Sequence, residues 1–146
     1  MKSRFKSRKI TENLTRIIGA TGECMYLAVG KERALLVDTG TGIGDLKGYV
    51  ETLTDKPLTV AMIHGHLDHV QGVSQFGEYF LNQKDLFLLD SNSDMKIRID
   101  YARRMSVPTR NPELAYIESD ALQPKADPEK SREDRKSTRL NSKSRI

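Results

Sequence analysis

Cysteine is nearly absent from this chain. Cys24 is the only one in 146 residues, which excludes an intramolecular disulfide and any zinc site built on several thiolates. It lies in the apolar stretch CMYLAV and reads as a small core residue rather than a reactive thiol. No apolar run approaches the ~20 residues that span a bilayer, and the basic start MKSRFKSRK passes into the polar ITENLTR instead of an apolar signal segment. A soluble, cytoplasmic protein with no membrane partner is therefore expected. Two further scarcities are positional: histidine occurs only between residues 64 and 69, and glycine not at all after Gly77. An α/β domain needs glycine-bearing turns throughout, so the second half looks short of parts.

Positive charge is in excess, with a formal net charge of +4, but it sits at the ends. Residues 1–9 carry five Lys/Arg and no acid, and residues 125–146 carry eight against four acids. The body between them has a net charge of −5. A folded nucleic-acid binder carries its positive charge on the surface that meets phosphate and often interleaves aromatics for stacking. This body does neither, so no nucleic-acid partner is expected and the basic ends read as solvated tails.

Within the body, NLTRII (13–18) and CMYLAV (24–29) are β-type runs joined by the turn-prone GATGE, which predicts a hairpin. ALLVD (34–38) has the continuous apolar character of a strand buried on both faces. In DLKGYVETL, Leu46, Tyr49, Val50 and Leu53 fall on one helical face with Asp45 available as N-cap. LTVAMI (58–63) then supplies another buried strand. Strand, helix, strand implies a crossover connection and a layered α/β architecture. Farther on, EYFLN reads as a short strand, KDLFLL as a helical turn or two and DMKIRIDYARRM as a helix. SVPTRNP reads as a loop and ELAYIE as one more strand.

All three histidines stand in AMIHGHLDHVQG, at the mouth of the second buried strand. Residues two apart on near-extended chain project to the same side, so His64, His66 and Asp68 can converge. His69 reaches the same pocket if the chain turns there, into a short helix that VQGVSQF would begin. Gly65 would relieve crowding between two imidazoles. Neutral imidazoles with a carboxylate suit Zn²⁺, Mn²⁺ or Fe²⁺, and four donors in six residues fit two metal ions better than one. Gly40, Gly42 and Gly44 lack the Gly-Lys-Ser/Thr or G-x-G-x-x-G of a phosphate loop. They read as a turn flanking the active-site groove.

H-G-H-L-D-H resembles the H-x-H-x-D-H signature of the metallo-β-lactamase superfamily of metal-dependent hydrolases. ALLVDTG resembles that family's apolar strand ending in Asp-x-Gly, and together the two cover residues ~13–120. The resemblance implies an α/β layered fold, here an incomplete αββα metallo-β-lactamase-type sandwich. It also implies two zinc ions in a complete site, with iron or manganese as alternatives. His64 and His66 would bind the first metal, and Asp68 and His69 the second. Asp68 is also the candidate catalytic carboxylate, and Asp38 would stand behind the ligands and orient the motif loop, unless it is only a turn or helix-capping aspartate.

The implied reaction is attack of an activated hydroxide on an ester, thioester, lactone, lactam or phosphodiester of a small-molecule substrate. Relatives with iron at the same ligands imply an oxidoreductase as the alternative, and a non-catalytic metal-binding fragment is another. Ile63 and Gln71 depart mildly from the family pattern, standing where Thr and Gly are frequent. Its remaining ligands, two histidines and a bridging aspartate, have no counterpart after His69. The tail segment DRKSTRLNS (134–142) resembles the translation of a common sequencing adapter. The expected organisation is thus a basic arm (1–9), the N-terminal part of a metallo-β-lactamase-like domain (10–122) and a disordered, artefactual tail (123–146), the whole being a truncated, inactive fragment.

Overall fold

The computed structural model describes residues 5–92 and 94–105. The loop expected at 106–112, the strand at 113–118 and the tail at 123–146 lie outside the described residues. Five strands form one sheet in sequence order: β1 (Lys6–Lys9), β2 (Leu14–Ile18), β3 (Cys24–Val29), β4 (Ala34–Val37) and β5 (Leu58–Ala61). The first four run antiparallel to their neighbours, and β4 pairs with β5 in parallel, Leu36 beside Val60. A parallel pair needs a crossover. It is provided by α1 (Leu46–Glu51), whose N-cap Asp45 accepts the Gly48 amide through its side chain, as the sequence pattern requires.

Period-2 alternation puts Ile17, Met25, Leu27, Leu36 and Val60 on one face of the sheet. They form a core with Leu46 and Val50 of α1, Val70, Val73 and Leu89. The two strands expected to be buried on both faces, β4 and β5, are not. β4 alternates, with Leu36 fully buried and Leu35 37% exposed, because α1 packs against one face alone among the described residues.

The basic arm differs from its expectation. Lys6–Lys9 is an edge strand, Arg8 opposite Arg16, with all four side chains exposed. Ladder hydrogen bonds to β2 satisfy the inward side of its backbone without burying a side chain, and lysines suit an edge that must not recruit another strand. Phe5, 8% exposed, anchors its start in the core, 5.4 Å from the Tyr49 ring, and Tyr49 Oη donates to Ser7 Oγ.

After β5 the short helix α2 (Leu67–Val70) starts three residues earlier than the VQGVSQF segment suggests, with His66 as its N-cap. That segment supplies a 3-10 turn instead, Val73–Gln75. EYFLN makes a single bridge, Phe80 with Ala61, rather than a strand, because the chain turns away at Asn82, whose side chain accepts the Lys84 amide. Helices α3 (Leu86–Ser91) and α4 (Met95–Met105) follow. A small second cluster, Ala20, Ile43 and Ala102, seats α4 against the loops beside the histidines. No helix among the described residues is long and apolar enough to cross a membrane.

Candidate metal centre

The site is assembled where β4 and β5 end side by side. Asp38 leaves β4 with φ 65° and is 1% exposed. Aspartate tolerates this left-handed region better than most residues. From there its carboxylate spans the gap to the motif: Oδ1 accepts the Ile63 amide at 2.9 Å and Oδ2 accepts His69 Nδ1 at 2.8 Å. A carboxylate can only accept, so Nδ1 of His69 carries the proton of this contact. Asp38 therefore orients the His69 ring and ties it to the Ile63 amide, besides closing a turn.

The motif residues gather as the sequence suggests, though not by one mechanism. His64 and His66 lie in the bend between β5 and α2 rather than on a continuing strand, and their rings meet edge-on with centroids 4.6 Å apart. His69 arrives through the α2 turn, its ring centroid 4.0 Å from that of His64. Asp68, in the first turn of α2, places Oδ2 at 3.5 Å from His69 Nε2. The donor types and their proximity suit a zinc-type ion, but the shell is not closed. Among the described residues, no three His, Cys, Asp or Glu side chains are placed to enclose one ion as they stand. Gly65 serves a different purpose from the one its neighbours suggest: a Cβ there would lie 2.6 Å from the Asp85 carbonyl oxygen and 2.9 Å from Leu88 Cβ. It admits the α3 segment beneath the loop.

The loop is fastened to the glycine turn 39–44, where Gly40, Gly42 and Gly44 all have positive φ. Thr39 donates to the His69 carbonyl from its amide at 2.7 Å and from Oγ1 at 3.0 Å. The Gln71 amide donates to the Gly40 carbonyl at 3.0 Å. Glu23 ties in the β2–β3 loop, accepting from the amides and hydroxyls of both Thr21 and Thr41.

Sequence reasoning missed Glu23, Arg98 and Tyr101. Glu23 is one acid after a turn, and only tertiary contact shows which α4 residues face inward. Beside Asp68 a cavity of about 580 Å³ opens, lined by Lys6, Thr21, Glu23, Asp68, Tyr101 and Met105. Burial, followed by the charges of Asp68 and Glu23, pushes the Tyr101 phenol above its ordinary pKa, so it stays a hydroxyl donor. A second cavity of about 500 Å³, between α1 and β5, contains none of the motif residues.

No family profile and no curated protein matches the chain. Solved structures do. The metallo-β-lactamase FIM-1 from Pseudomonas aeruginosa, in its mono-zinc form, matches 63% of this chain and 48% of its own, at 16% identity and TM-score 0.54. DIM-1 metallo-β-lactamase matches 61% of this chain and 47% of its own, at 18% identity and TM-score 0.52. MEM-A1, a subclass B3 metallo-β-lactamase from a soil metagenome library, matches 64% and 39%, at 15% identity and TM-score 0.51. The chain spans about half the length, or less, of the solved structures it matches. Over that length the described chain has the metallo-β-lactamase fold.

Proposed function

We propose that this chain carries part of the catalytic centre of a metal-dependent hydrolase, with His64 and His66 holding one zinc ion and Asp68 and His69 a second. The observation that carries this reading is the His69 ring. Asp38 fixes its Nδ1, its Nε2 lies 3.5 Å from Asp68 Oδ2, and its ring lies against that of His64. Bound zinc lowers the pKa of water and polarises a scissile carbonyl or phosphoryl oxygen.

The chain's own residues do the rest. Asp38 keeps the His69 tautomer that can ligate, and His64, His66 and Asp68 would have to turn toward the ions they hold. The cavity beside Asp68 receives a small-molecule substrate, which Tyr101 meets with a neutral hydroxyl. An ester, thioester, lactone, lactam or phosphodiester would suit this chemistry. Three histidines and one aspartate supply only part of a dinuclear shell, so turnover is expected only where further donors are added to these four.

Zinc content after dialysis tests the reading. His64→Ala and His66→Ala should each lose most of the zinc that the full chain retains, and Cys24→Ala should lose none. Equal zinc in all three variants would remove the metal assignment. Retention of iron in place of zinc would favour the oxidoreductase reading.

A further inference from the structure

Helix α4 is exposed along Met95–Ile97 and turns Arg98, Ile99 and Ala102 inward. Arg98, at 2% exposure, is among the largest fully buried side chains of the described residues. Enclosing a guanidinium costs several kcal/mol unless its donors are used, and a Met of similar reach would pack at no such cost. The question is what the buried cation holds in place.

Its Nη2 lies 3.4 Å from the Gln71 carbonyl oxygen. A Cβ at Gly42 would stand 2.7 Å from the same nitrogen and 2.6 Å from the same oxygen. Guanidinium, glycine turn and motif loop thus meet at one point that only a glycine permits. Gln71 is also gripped elsewhere: its amide donates to the Gly40 carbonyl at 3.0 Å and its Nε2 to the Asn92 carbonyl at 3.0 Å. Two residues back, Thr39 grips the His69 carbonyl. The chain from His69 to Gln71 is therefore clamped at both ends, by Thr39 at the His69 carbonyl and by Gly40, Asn92 and Arg98 at Gln71.

We propose that Arg98 is a positioning residue for the metal centre: by holding the Gln71 carbonyl against Gly42 it fixes the exit of α2, and with it the His69 ring against Asp38. The inference rests on His69 being a metal ligand, yet its direct readout needs no metal. The chain has only three histidines, so ¹⁵N spectra of the imidazoles in the metal-free full chain at one fixed pH give three resolvable sets of signals.

Wild type should show His69 as a single Nδ1–H tautomer. Arg98→Met should keep its melting temperature within a few degrees while His69 becomes a tautomer mixture and zinc affinity falls about tenfold. Arg98→Lys keeps the charge without the planar fork and should show the same change in part. Ile97→Ala, on the exposed side of α4, should change nothing. A merely structural arginine would lower the melting temperature and leave the His69 signals of the folded protein intact. That result in Arg98→Met, or in Arg98→Lys if the Met variant does not fold, would overturn the proposal. Failure of wild type to bind zinc would instead remove the hydrolase reading and leave the His69 result standing.

Discussion

Asp38 joins two roles that are separable by substitution. In Asp38→Ala, the Ile63 amide and His69 Nδ1 lose their acceptor, and a β-carbon without a polar group must hold φ 65°. A lost charged acceptor and a strained residue together should cost about 2–4 kcal/mol, read as a lower urea midpoint at unchanged slope. Asp38→Asn keeps one acceptor and the tolerance of left-handed backbone, and should cost less than half as much. Tyr101 offers a pH readout. Its phenol titrates above the ordinary 10.0 in the folded chain, so its contribution to stability is complete below that value and is lost as pH rises through the raised one. The alkaline limb of the stability curve should be shallower in Tyr101→Phe, and absorbance titration of that variant should lose one tyrosine that ionises above pH 10.0. An unchanged limb would show that Tyr101 is not in the environment described.

Among the elements, agreement with the sequence depended on whether the signal was local. CMYLAV is β3 residue for residue, and Asp45 caps α1 where the spacing of Leu46, Tyr49 and Val50 places it. Both follow from period and capping chemistry carried within a few residues. β1 was not legible because its four residues are exposed and charged, and only a partner strand makes KSRK extended. Arg98 was equally hidden, since no local pattern says that one arginine of a basic helix turns inward. The motif histidines were legible as donors, but the α2 turn that brings His69 round was placed too late.

Close packing of the two loops makes a sharp element-level prediction. A Cβ at Gly72 would lie 2.2 Å from the Thr39 carbonyl oxygen, whereas at Gly77 it would meet nothing within 4 Å. Gly72→Ala must therefore part the motif loop from the glycine turn, an overpacking cost of roughly 1–3 kcal/mol or more. Gly77→Ala should be neutral or stabilise by up to about 1 kcal/mol through the unfolded chain. Thermal unfolding of the pair decides it, and equal melting temperatures would contradict the packing described.

At the scale of the whole described structure, one sheet and its crossover helix carry three imidazoles and a carboxylate beyond the ends of two parallel strands, and the α3 segment packs against the motif loop at Gly65. The central claim is that this cluster binds metal through imidazole and carboxylate. Zinc-edge X-ray absorption on the zinc-loaded full chain tests that most directly. The account predicts nitrogen and oxygen neighbours at about 2.0–2.1 Å, with the imidazole signature weakened in His64→Ala and His66→Ala. A sulfur neighbour at about 2.3 Å, which only Cys24 or a methionine could provide, or a zinc spectrum unchanged by both histidine substitutions, would contradict it.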